Sequence, residues 1–106
     1  MKVTEYIDKN NRSPFAQWFG KLDGVAAAKV TTALYRLEQG NFSNVESVGE
    51  GVREYKIDFG PGYRIYFGKD GMELIILLGG GAKKQQSRDI SMAKRKWDEY
   101  KHLKRR

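Results

Sequence analysis

The chain has 106 residues, 40% of them hydrophobic and 31% charged, so it should form one domain spanning 1–106 with a modest core. Cysteine is absent, which excludes a disulfide framework, a thiolate nucleophile and a cysteine zinc site. The longest apolar run, Leu74 to Leu78, is far below the ~20 residues that span a bilayer, and Met1 to Glu5 reads as no leader, so a cytoplasmic protein that does not engage the membrane is expected. The net charge of +7 is unevenly spread, because basic and acidic side chains cancel over residues 1–82 and the whole excess falls in residues 83–106. Such asymmetry suits a surface that meets a polyanion or an acidic partner, and it also suits a solvated terminal helix.

Taken in chain order, Lys2 to Ile7 reads as a short strand. Ser13-Pro14 is a helix start, and Phe15, Trp18, Phe19 and Leu22 follow at helical spacing. A second helix begins near Asp23, with Ala26, Val30, Ala33, Leu34 and Leu37 in one stripe and Gly40 as its stop. The period then becomes two. Val45 to Val48 is a short strand, and Val52 to Phe59 alternates Tyr55, Ile57 and Phe59 against Glu54, Lys56 and Asp58. Gly60-Pro61-Gly62 turns the chain into Tyr63 to Phe67, and Asp70-Gly71 marks a two-residue hairpin before Met72 to Leu78. Gly79-Gly80-Gly81 is read as the exit of that strand, and Ile90, Ala93, Trp97, Tyr100 and Leu103 stripe a last helix near 87–104.

Parity fixes an expected register. A three-residue loop at Gly60 to Gly62 pairs Ile57 with Ile65, Lys56 with Tyr66 and Asp58 with Arg64. The second hairpin pairs Phe67 with Leu74, Ile65 with Ile76, Arg64 with Leu77 and Tyr66 with Ile75. An α+β domain results, with an antiparallel sheet whose apolar side takes the helices and whose other side carries Glu54, Lys56, Arg64 and Tyr66 as the candidate working surface.

The blocks Leu34 to Phe42, Gly60-Pro61-Gly62-Tyr63-Arg64-Ile65-Tyr66 and Leu77 to Lys83 with Gln86 and Asp89-Ile90 resemble the phage-derived HigB-like killer proteins of the RelE/ParE superfamily, collinearly over nearly the whole chain. The resemblance implies a RelE-like fold, two N-terminal helices and a C-terminal helix around a curved antiparallel sheet. It also implies ribosome-dependent mRNA cleavage, and a cognate antitoxin, often with a helix-turn-helix domain. Two positions depart from the pattern. Lys56 stands where many relatives carry arginine, keeping the charge but not the fork, and Ala82 replaces a polar or acidic residue before Lys83.

With one histidine, His102, a two-histidine acid–base pair is excluded, and the scattered carboxylates give no support for a two-metal site. No cofactor or metal is implied. By the resemblance, the catalytic set would be Arg64 on the scissile phosphate, Lys56 as base or electrostatic support and Lys83 at the leaving oxygen. Tyr66, Arg53 and Lys84 would bind substrate, with Tyr66 stacking on a base or orienting a proton. Each residue also has a structural reading. Arg64 opposite Asp58 makes a cross-strand ion pair, an exposed strand lysine at 56 discourages edge pairing, and Arg53 falls on the Tyr55 side by parity. Two other functions stay open: a ParE-like gyrase poison, and a relic that only binds its antitoxin.

Overall fold

A computed structural model describes residues 1–105. In chain order it forms β1 (Lys2–Glu5), α1 (Pro14–Phe19), α2 (Gly24–Glu38), β2 (Val45–Gly49), β3 (Val52–Ile57), β4 (Tyr63–Asp70), β5 (Leu74–Ala82), a 3-10 turn (Lys83–Gln85) and α3 (Gln86–Lys104). The helix ends follow their side chains. The Ser13 hydroxyl accepts from the Ala16 N–H at 3.0 Å with Pro14 in the first turn, and Asp23 Oδ1 accepts from the Ala26 N–H at 2.8 Å. At the far end of α2, Gly40 (φ +75) lets its own N–H reach the Leu37 carbonyl and the Asn41 N–H reach that of Arg36, which closes the helix.

The five strands are ordered β1-β5-β4-β3-β2. Neighbours are antiparallel except β1, which runs parallel to β5, so the sheet is mixed where a wholly antiparallel one was expected. Both faces are covered. On one, α1 and α2 place Phe15, Val30, Ala33 and Leu37 against Tyr55, Ile57, Ile65, Phe67, Ile75 and Leu77. On the other, α3 places Ala93 and Trp97 against Val52, Tyr66, Ile76 and Leu78. The face expected to work as an open surface is therefore largely core, because α3 lies across it. Leu103 falls outside the packed stripe and is exposed, as is Ile7 beyond the end of β1.

Register differs from expectation at both hairpins. In the first, Lys56 faces Arg64, Tyr55 faces Ile65 and Glu54 faces Tyr66. The expected pairs of Lys56 with Tyr66 and Asp58 with Arg64 do not form. The connection is wider than three residues: the Phe59 N–H bonds the Ile57 carbonyl and the Gly62 N–H bonds that of Phe59, so β3 stops at Ile57. The slip is two residues, which leaves every side chain on its expected face.

In the second hairpin Asp70 faces Leu74, Met72 is exposed in the turn, and Phe67 faces Leu77. The pairs Phe67–Leu74, Ile65–Ile76, Arg64–Leu77 and Tyr66–Ile75 are thus corrected. A bulge between Tyr66 and Phe67 shifts the register once more, placing Tyr66, Ile65 and Arg64 opposite Gly79, Gly80 and Gly81. The glycine triplet is strand, not strand exit. Trp18 lies on Gly80 from the α1 side and the Asp89 carboxylate lies on Gly81 from the α3 side, and neither space would admit a Cβ.

Candidate functional site

The candidate residues meet at the end of the sheet where α3 begins. On the α3 face, Lys56, Arg64 and Gly81 are neighbours on successive strands, and Glu54, Tyr66 and Gly79 form the next row. The first turn of α3 closes over them: the Gln86 amide donates to Glu54 Oε2 at 2.7 Å, and Asp89 rests on Gly81. The Gly60 to Gly62 loop is stitched to the β5–α3 junction by the Lys83 N–H, which donates to the Gly62 carbonyl at 2.7 Å. Gly62 holds φ +76, and Lys83 Cβ and Arg64 Nη1 lie 3.3 and 3.7 Å from where its Cβ would stand. A glycine in the left-handed region thus lets the aliphatic root of one cation and the guanidinium of another approach the same point.

Arg64 is buried. Its Nε faces Glu54 Oε1 at 3.6 Å, and Nη1 donates to the Tyr63 carbonyl at 3.4 Å. Lys56 is half-exposed, with Nζ 2.9 Å from Glu46 Oε2 on β2, a pair open to solvent on both sides. Lys83 and Lys84 are exposed and have no carboxylate partner among the described residues. Of the six candidates, then, Lys56, Arg64, Lys83 and Lys84 surround one corner, two of them facing carboxylates.

Tyr66 is 1% exposed, and its hydroxyl has no hydrogen-bond partner in the structure. Burial pushes its phenol well above the ordinary range, and the charges of Glu54 and Asp89 push the same way. Covered by α3, it presents no ring face to a base. Arg53 lies opposite Phe67 on the α1/α2 face, away from the corner. Sequence reasoning placed Glu54 on this face but missed that it is a buried partner for Arg64 and Gln86. The signal lay in Gln86, which only the opening turn of α3 could bring over the sheet.

Burial also raises the Asp89 carboxyl, Arg88 opposing the shift. Its Oδ2 is buried without a partner, while Oδ1 faces Arg88 Nε at 3.6 Å. Among the described residues no three histidine or carboxylate side chains gather in a way that could hold a metal ion. No helix among them is long and apolar enough to cross a membrane.

Fold and site define a small basic α+β domain with a cationic corner where a five-stranded mixed sheet meets its last helix. No family model matches the chain. A protein of Haemophilus influenzae, described as an uncharacterized protein, is 43% identical to it over 81 residues, which cover 76% of this chain and 82% of that one. The chain belongs to the same family as that protein.

Proposed function

We propose that the chain is a RelE/HigB-like toxin of a toxin–antitoxin module: an endoribonuclease that cleaves mRNA on the ribosome with cationic side chains rather than a metal. An antitoxin carrying a helix-turn-helix domain would hold it inactive. The observation that carries this reading is the convergence of Lys83 and the Arg64 guanidinium on Gly62. Two helices near the N-terminus, between β1 and β2, and one helix after β5 support a RelE-like arrangement. The collinear Gly-Pro-Gly-Tyr-Arg and Gly-Gly-x-Lys blocks supply those two cations.

In the proposed reaction the ribose 2′-hydroxyl gives its proton to water as its oxygen attacks the adjacent phosphorus, and the bond to the 5′ oxygen breaks as that oxygen takes up a proton from water. The products are a 2′,3′-cyclic phosphate and a 5′-hydroxyl. Negative charge builds on the pentavalent phosphorus oxygens, and preorganised cations stabilise it more than they stabilise the ground state. Lys83, exposed and without a carboxylate partner among the described residues, contacts the phosphate or the departing oxygen. Arg64, oriented by Glu54 and the Tyr63 carbonyl, holds its Nη1 beside Lys83 at Gly62 and can donate from there. Lys56 can exchange Glu46 for phosphate, since an exposed pair contributes only about 0–1 kcal/mol.

The test is to map mRNA 5′ ends in cells expressing the chain. New ends placed in phase with codons support the proposal. Growth arrest with altered DNA supercoiling and unchanged mRNA would instead make it a gyrase poison. An inert chain that still binds a helix-turn-helix protein would make it a relic.

A further inference from the structure

Strand β1 accompanies β5 only from Leu74 to Leu77. A last backbone bond joins the Tyr6 N–H to the Leu77 carbonyl at 2.9 Å, and the chain then leaves the sheet for α1. The rest of β5, Gly79 to Ala82, pairs with β4 on one side and with no strand of the described residues on the other. Open edges are usually blunted by lysine, proline or a covering element. This one has three glycines in succession, so no side chain of the strand itself projects there, and Trp18 and Asp89 lie over its two faces rather than along its edge.

A cavity of about 430 Å³ runs along that edge, between α1 on one face of the sheet and α3 on the other. Half-buried Trp18 and exposed Met92 give it apolar walls. Lys21, Arg88 and Lys96 stand along its rim, and Asp89, the one acidic residue in the lining, already faces Arg88.

We propose that this groove binds an extended acidic segment of a partner protein, which adds to β5 as a sixth strand. An added strand supplies the N–H and C=O groups that the Gly79 to Ala82 edge needs, and its alternate side chains point to the two walls. The set facing the α1 side would meet Trp18 and Lys21, and the set facing α3 would meet Met92, Arg88 and Lys96, so apolar side chains suit the first wall and carboxylates the second. A nucleic-acid backbone brings phosphates to the cations but no row of N–H donors to the edge, so the strand edge favours a peptide. A second copy of this chain is disfavoured, because its net charge is +7. The groove shares none of Lys56, Arg64, Lys83 or Lys84, so peptide binding can fail or succeed independently of RNA cleavage.

The experiment titrates the isotopically labelled full chain with a short peptide alternating valine and glutamate. The Gly79, Gly80, Gly81 and Ala82 amides should shift and become protected from solvent exchange, and Trp18 emission should change in a Trp97→Phe background. A Lys21→Glu, Arg88→Glu, Lys96→Glu variant should bind at least about tenfold more weakly, while Lys2→Glu on the far side of β1 should not. Binding that maps to Lys83 and Lys84, equal affinity of the triple variant, or an oligouridylate that protects the Gly79 to Ala82 amides in the peptide's place would overturn the proposal.

Discussion

Arg64 Nε stands 3.6 Å from Glu54 Oε1, too far for a hydrogen bond and close enough for a strong coulombic pair, while the other oxygen of Glu54 takes the Gln86 amide at 2.7 Å. Glu54 is 1% exposed, so its charge is tolerated only because these two partners face it. The carboxylate thereby holds together a strand cation and the start of α3.

Removing one charge of this pair should destabilise the fold. Glu54→Gln leaves Arg64 buried without a counter-charge and should lower unfolding free energy by about 3 kcal/mol, the low end of the range for a broken buried pair because the arginine retains some exposure. A Glu54→Gln, Arg64→Met double variant should be less destabilised than the sum of the two single changes. Urea unfolding measures both, and strict additivity would mean that the two charges do not interact.

Side chains lying on Gly80 and Gly81 make those positions intolerant. Gly80→Ala and Gly81→Ala each drive a methyl into a ring or a carboxylate, and overpacking of this kind costs about 1–3 kcal/mol. Asp89→Ala should recover much of the loss from Gly81→Ala and none of that from Gly80→Ala, which depends on Trp18 instead. Thermal unfolding of the three variants and the two pairs distinguishes a local collision from a general intolerance of the strand.

These glycines mark where the sequence is legible and where it is not. Ser13, Asp23 and Gly40 announce their helix ends because each acts through backbone groups a few residues away. Parity could not detect the slip at the first hairpin, since moving two residues changes no face. At the second it carried no information, because Ile65-Tyr66-Phe67 and Ile75-Ile76-Leu77-Leu78 are buried on both faces and show no polar phase. The convergence of Arg64 and Lys83 was implied by the motif blocks. That Glu54 would bury with Arg64, and that α3 would cover Tyr66, depended on how the last helix crosses the sheet.

Two phenols tie the α3 side to charged partners and set an alkaline limit. Tyr6 donates to Glu99 at 2.9 Å and Tyr100 to Asp70 at 2.5 Å. Burial, reinforced by these carboxylates, pushes both phenols up to about 12. An unfolded tyrosine ionises near pH ~10. Because the folded values are raised, their stabilisation is complete below about 10 and is lost as pH climbs toward about 12. Denaturant midpoints should fall across that window, and Tyr6→Phe with Tyr100→Phe should flatten the fall. An equal fall in the double variant would assign it elsewhere.

The cleavage account rests most directly on Lys83, whose exposed side chain can be removed without touching the core. In a purified translation reaction, Lys83→Ala should cut mRNA at least about 10²-fold more slowly than the parent chain, in the range found when one charge-stabilising donor is lost. Its urea midpoint should be unchanged. Cleavage at the parent rate by a folded Lys83→Ala chain would contradict the account.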